Sequence, residues 1–163
     1  HRRVATITGP RITQWARDRL DGFRDGLAKY QAQLEWQYSQ TDLPDFETGL
    51  AASDALMADY AARALPTAIW AQNDIMAAAV LKNLTKQGHR VPEDISLLGM
   101  DDIQLCTMVT PTLSTIHQPL REIAQESIRI IMENEPDAEP QPRRVILTPT
   151  LCVRESTAPP GHV

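Results

Sequence analysis

Two rhythms alternate along this chain: short apolar runs, then longer stretches whose apolar residues return every three or four positions. The run Arg3–Thr8 (RVATIT) predicts a strand, broken by Gly9-Pro10. Ile12, Trp15, Ala16, Leu20, Phe23, Leu27, Tyr30 and Leu34 then fall on one side of an amphipathic helix. Residues 36–38 predict a short strand at best. Leu43-Pro44-Asp45 interrupts it, and Asp45 is placed to cap a helix whose apolar side includes Leu50, Met57, Tyr60 and Ala61. After Pro66 comes a strand to Gln72, then a helix over 74–87 stopped by Gly88. A turn at 91–94 leads into a strand over 95–99, and residues 113–117 (LSTIH) are β-prone up to Gln118-Pro119. Leu120, Ile123, Ala124, Ser127, Ile128 and Ile131 mark a further helix face. Residues 135–142 (EPDAEPQP) form an acidic, proline-rich link, and residues 145–147 and 151–153 predict final strands on either side of Pro149. Strands alternating with helices of this length predict an α/β fold, a parallel sheet flanked by helices.

Two junctions carry chemistry. The strand ending at Gln72 meets Asn73-Asp74, and the strand ending at Gly99 meets Met100-Asp101-Asp102. In open α/β sheets, ligands bind outside the carboxyl ends of the strands. Polar groups at two such ends predict a small-molecule site. Asp101 and Asp102 do not read as a carboxylate pair for acid–base work, because adjacent strand residues point to opposite faces.

Composition narrows the function. At 163 residues the chain holds one domain's worth of core, and 42% hydrophobic with 23% charged content suits a globular protein. No apolar run approaches the roughly 20 residues of a membrane span. The start, His1-Arg2-Arg3-Val4, lacks an initiator Met, a signal h-region and a transit pattern, and reads as a cut end. A net charge of -5 and a pI of about 5.3, with basic residues scattered apart from Arg2-Arg3 and Arg143-Arg144, argue against DNA binding by this segment. Cys106 and Cys152 have no CxxC spacing and read as reduced thiols of a cytosolic protein. His1, His89, His117 and His162 are too scattered for a metal site; no nucleophile elbow, HExxH, P-loop or GxGxxG occurs. No catalytic residue, metal or cofactor is expected.

Ile69-Trp70-Ala71-Gln72-Asn73-Asp74-Ile75-Met76-Ala77, followed by Val91-Pro92-Glu93-Asp94-Ile95-Ser96-Leu97-Leu98-Gly99-Met100-Asp101-Asp102, resembles the LacI–GalR family of bacterial transcription regulators. Residues 110–119 (TPTLSTIHQP), 153–157 (VREST), the opening His1-Arg2-Arg3 through Gly9-Pro10, and Arg19-Leu20-Asp21-Gly22-Phe23 resemble it in the same order. The resemblance implies a periplasmic-binding-protein-like fold of two α/β subdomains closing on an effector. It implies a C-terminal effector-binding subdomain over 1–118, a remnant of the N-terminal subdomain over 119–147, and a return with tail over 148–163. It also implies a cytoplasmic homodimer that binds operator DNA only through an N-terminal helix-turn-helix absent here, with the present chain a fragment lacking regulatory activity.

Four positions match the family's effector contacts: Arg19, Asn73, Asp101 and Gln118. Asp101 accepts from neighbouring hydroxyls or a base amine, the fork of Arg19 donates, Asn73 offers both, and Gln118 sits where the chain crosses between subdomains. The plain alternatives are a surface arginine, a capping asparagine, a strand-end aspartate and a loop glutamine. Trp15 lies one turn before Arg19, where relatives often carry a small polar contact; it can stack on a sugar ring or belong to the core. Phe46 stands near where relatives place an aromatic cover, but its spacing to Gly49 differs and it is not assigned that role. Ile75, Met76, Ala78, Ala79, Val80 and Leu81 are apolar around more of the helix than one core face needs; the resemblance implies that this helix and the segment 106–109 form an isologous dimer interface, a buried internal helix being the alternative. The expected effector is a sugar, or a purine or nucleoside using the same polar groups. A periplasmic transport binding protein is the alternative function; an enzyme stands third.

Overall fold

The computed structural model describes residues 1–9, 12–39, 43–60, 65–133 and 143–160. Expectations touching Pro10, Ala61, the 135–142 link and His162 lie outside the described residues. The elements run β1 (Arg3–Thr8), α1 (Gln14–Lys29), β2 (Gln33–Ser39), α2 (Phe46–Asp59), β3 (Ala68–Ala71), α3 (Asp74–Lys86) and β4 (Ser96–Leu98). A 3-10 turn (Gln104–Thr107), β5 (Thr115–His117), α4 (Leu120–Met132) and β6 (Thr150–Cys152) follow. The first four strands form one parallel sheet in the order β2-β1-β3-β4. β5 and β6 form a separate antiparallel pair, linked to the sheet edge by a bridge between Leu98 and Ser114.

Topology fixes where a ligand can enter. The crossover from β1 to β2 steps one way across the sheet, and those from β2 to β3 and β3 to β4 step the other. Right-handed crossovers then place α1 on one face and α2 with α3 on the opposite face. The direction reverses between β1 and β3, so a crevice opens at their carboxyl ends, beside Gly9 and Gln72.

Strand alternation divides the core. Ala5, Ile7, Ile69, Ala71 and Leu97 pack with Leu56, Met76, Val80 and Leu84 on the α2–α3 side. Trp70 belongs to the α1 side, where it stacks on Phe23 with ring centroids 4.5 Å apart. Asp45 caps α2 as its sequence predicts, its carboxylate accepting from the Thr48 N–H at 2.9 Å. The buried stripe of α2 is Gly49, Ala52, Ser53 and Leu56, continued by Tyr60, whereas Leu50 and Met57 are only half-buried. Gly49 is needed for the helix crossing. A Cβ there would stand 2.7 Å from the Met76 carbonyl oxygen and 2.7 Å from the Ala79 methyl.

Three expectations are corrected. β2 is a full seven-residue strand over 33–39 rather than a short piece at 36–38. It is the sheet edge, exposed at Gln33 and half-buried from there on, so its polar residues hid it. Residues 145–147 form no strand; Ile146 is exposed and the triplet finds no ladder partner among the described residues. Finally, most of the apolar face of α3 is internal, although Ile75 stays exposed. Met76, Ala79 and Val80 are fully buried within the chain and Leu81 nearly so, which removes them from any intermolecular surface.

Candidate functional site

Asp101 anchors the candidate site, and backbone geometry aims it. After β4 the chain enters the left-handed region at Asp101 (φ 118°) and again at Asp102 (φ 58°). Aspartate tolerates such angles better than most residues, yet two in succession need outside support. The support comes from β5, where the Asp101 N–H donates to the Ile116 carbonyl at 2.9 Å, and from Asp74. The Asp74 side chain is fully buried at the start of α3. Its carboxylate accepts from the Thr115 hydroxyl at 2.6 Å and from the Ile103 N–H at 3.0 Å. The loop is pinned on both sides. Gly99 is forced by the same packing, since a Cβ there would stand 2.2 Å from an Asp74 oxygen.

Arg19 reaches Asp101 from α1. Its guanidinium donates to the Gln72 carbonyl at 2.8 Å, lies 3.4 Å from the Asp101 carboxylate, and packs over the Trp15 ring at 5.0 Å. Gln118, just past β5, donates to the same Asp101 oxygen. Three of the expected residues, Arg19, Asp101 and Gln118, are therefore joined in one network at the carboxyl ends of the strands. Burial pushes the Asp101 carboxyl above its ordinary range; the Arg19 charge and the Gln118 hydrogen bond oppose this without cancelling it, and Asp74 adds to the rise. A carboxylate so placed gains from any ligand that supplies donors.

Asn73 is placed differently. Its side-chain oxygen caps α3, accepting from the Met76 N–H at 2.7 Å, and its amide donates to the Pro44 carbonyl at 2.6 Å. It borders the crevice with both polar ends engaged in the fold. Trp15 is not core: its relative exposure is 41%. Phe46, at the start of α2, lies under the Lys82 ammonium at 5.5 Å.

Asp102 has different partners, but strand alternation is not the reason: both aspartates lie past β4 with left-handed backbone. The Asp102 carboxylate accepts from Arg154 at 2.5 Å, sits 2.9 Å from His117 Nδ1 and takes a weak contact from the Cys152 thiol at 3.6 Å. Burial raises this carboxyl, but the Arg154 and His117 hydrogen bonds together outweigh it and hold it below the usual range. Arg154 also donates to the Leu113 carbonyl at 2.8 Å, so the cluster ties the final segment to β5.

The roles of Gln72, Asp74, Asp102 and Arg154 were not legible in the sequence. Buried Gln72 fills the crevice where the sheet reverses direction: its side chain accepts from the Gly9 N–H at 3.0 Å and donates to the Ala16 carbonyl at 2.9 Å. Their partners lie far along the chain, and only a polar residue inside an apolar run hinted at them. An apolar hollow of about 260 Å³ opens behind Arg19, lined by Phe23 and Trp70. A larger one of about 720 Å³ lies farther along α1 beside His1 and Tyr30, away from Asp101. Converging polar groups, rather than volume, single out the Arg19–Asp101 end. No cluster that could hold a metal ion occurs among the described residues, and no helix there is long and apolar enough to cross a membrane.

The model of the periplasmic binding protein-like domain matches residues 1–157. The ribose operon repressor of Escherichia coli (strain K12) is 35% identical over 156 residues, covering 96% of this chain and 46% of the repressor. The dimeric Lac repressor with an 11-residue C-terminal deletion superposes with a TM-score of 0.87 at 27% identity, covering 99% of this chain and 57% of that one. A complex of the transcriptional regulator CelR with cellobiose gives a TM-score of 0.84 at 29% identity, over 96% of this chain and 47% of that one. The chain spans about half the length of the curated relatives it matches. These relatives are transcription regulators rather than enzymes. The chain belongs to the periplasmic binding protein-like family, and repressors of the LacI type are among the proteins it is similar to.

Proposed function

We propose that this chain is the effector-sensing and dimer-forming part of a cytoplasmic transcription repressor that responds to a small sugar. The observation that carries this reading is the joined Arg19–Asp101–Gln118 network at the carboxyl end of a parallel sheet. An aspartate accepting from adjacent hydroxyls beside an arginine that donates to their oxygens suits a vicinal diol. Asn73 borders the site and orients the loop before α2 through Pro44. Operator DNA would be bound by a helix-turn-helix outside these residues, in keeping with the net charge of -5. Regulators among the relatives weigh against the periplasmic transport reading, and an array of hydrogen-bonding groups without a nucleophile or a paired acid and base weighs against catalysis.

Dimerisation is assigned to the rim of α3 rather than its core, where Ile75, Ile103 and Met108 are exposed. The subdomain boundaries 1–118, 119–147 and 148–163 are retained: α4 buries none of its residues, and β6 returns to pair with β5. Calorimetric titration of the intact regulator with a panel of sugars tests the function. Asp101→Ala is expected to cost about 2–5 kcal/mol of binding free energy, because Arg19 and the ligand donors lose their acceptor. Unchanged affinity would remove Asp101 from the site.

A further inference from the structure

The chain contains three tryptophans, and two have plain structural roles. Trp70 is buried against Phe23, and Trp36 donates to the Asp59 carboxylate at 2.5 Å. Trp15 has no such role and remains partly in water. Its position is nonetheless held. A Cβ on Gly9 would stand 2.8 Å from the Trp15 ring carbon Cη2, with Pro44 at 3.4 Å from the same point. The backbone of Gly9 does not lie in the left-handed region, so the glycine is not demanded by its own conformation. What it supplies is space for the indole. The indole also meets the Arg19 guanidinium, which is already tied to Gln72 and Asp101. Gly9 and Pro44 both follow strands at the carboxyl edge of the sheet, so the ring stands on the rim of the proposed effector site.

We propose that Trp15 sets effector size: seated on Gly9 and gripping Arg19, its indole walls the α1 side of the site and admits only a single ring bearing adjacent hydroxyls. This rests on reading the Arg19–Asp101–Gln118 network as the effector site. Arg19 and Gln118 both meet one Asp101 oxygen, which holds the three groups within the reach of a single ring. Trp15 rises one helical turn away, about 5.4 Å along α1, so a second ring extending in that direction meets the indole. The wall also fixes the guanidinium by cation–π contact, which keeps its fork aimed at the ligand.

The test is calorimetric titration of the intact regulator with four single-ring sugars (D-ribose, D-xylose, D-glucose, D-galactose) and two disaccharides (cellobiose, lactose). The wild-type protein is expected to bind at least one single-ring sugar about tenfold or more tighter than either disaccharide. Trp15→Ser is expected to narrow that gap about tenfold. Gly9→Ala, which pushes the indole aside without removing it, is expected to narrow the gap in the wild-type background and to change nothing once Trp15 is serine. Should Trp15→Ser fail to fold, Gly9→Ala alone decides. A disaccharide bound as tightly as any single ring, an unchanged gap in Trp15→Ser, or an equal effect of Gly9→Ala in both backgrounds overturns the size role while leaving the site intact. Sugar affinity left unchanged by Asp101→Ala overturns the site itself, and a wild-type protein that binds no sugar overturns both.

Discussion

Asp101 and Asp102 are neighbours with opposite electrostatic assignments, and pH separates them. The Asp101 carboxyl titrates above its ordinary value, so the folded chain holds that proton more tightly than the unfolded one. Its contribution favours folding at low pH and is lost as pH rises through the raised value, leaving the charged form a net cost at neutrality. Asp101→Asn is therefore expected to match or exceed the wild-type melting temperature at pH 7 while losing effector affinity. Calorimetric melting with and without sugar checks both halves; a clear drop in melting temperature would contradict the assigned strain. Asp102 runs the other way. Held below 3.8 by Arg154 and His117, it stabilises the fold above that value, and the contribution is lost as pH falls through its lowered value. Asp102→Asn is expected to cost about 1–3 kcal/mol in urea denaturation at pH 7, since Arg154 loses a charged partner. A loss no larger than that of an ordinary surface substitution would mean the cluster is not holding the final segment.

Elements differ in how clearly the sequence displayed them. α2 and α3 showed through their caps, because a cap is a local signal: Asp45 caps α2 and Asn73 caps α3. Periodicity was less exact: Leu34, placed on the face of the first helix, lies in β2, and the buried stripe of α2 runs through Ala52 and Leu56 rather than Leu50 and Met57. β2 was obscured by its edge position, where Gln33, Glu35 and Gln37 meet water and only the ladder to β1 makes the strand. The apolar triplet at 145–147 misled for the converse reason, β-prone residues without a strand partner among the described residues. α3 was read correctly in span and wrongly in setting. It packs against α2, the sheet and the 3-10 turn at once, which demands apolar residues around most of its circumference. Gly49→Ala should accordingly destabilise by about 1–3 kcal/mol, through a methyl that has no room against Met76. Urea denaturation checks this, and an unchanged midpoint would mean the two helices can part at no cost. At the rim, Ile75→Glu with Met108→Glu is expected to dissociate the intact regulator without shifting its melting by more than a surface change. Sedimentation showing a persistent dimer would place the interface elsewhere. Of the site, Arg19, Asp101 and Gln118 were legible as motif positions, whereas the buried partners that hold them were not. Gln72 and Asp74 act through contacts with Gly9, Thr115 and Ile103, which no local pattern records.

Across the whole molecule, apolar burial is uneven. The α2–α3 side of the sheet is filled, while α4 buries nothing and presents Leu120, Ile128, Ile131 and Met132 to water. A hollow of about 440 Å³ separates it from residues 143–147, so that apolar surface stays wet on both elements. Exposed patches of this kind bind hydrophobic dyes and other chains. The 163-residue chain on its own should raise anilinonaphthalene sulfonate emission strongly, and the double change Ile128→Ser and Ile131→Ser should lower it; weak emission from the unaltered chain would show the face to be covered.

Asp74 and Gly99 have a consequence for how such a sequence can change over time. An oxygen of the Asp74 carboxylate occupies the space that any side chain at position 99 would need. Replacing Gly99 first drives a methyl into a buried carboxyl group; replacing Asp74 first strips Thr115 and the Ile103 N–H of their acceptor. Each single step leads through a damaged protein, and the two positions can drift only together. In any lineage that keeps the loop carrying Asp101, this pair should persist as a unit or be exchanged as one.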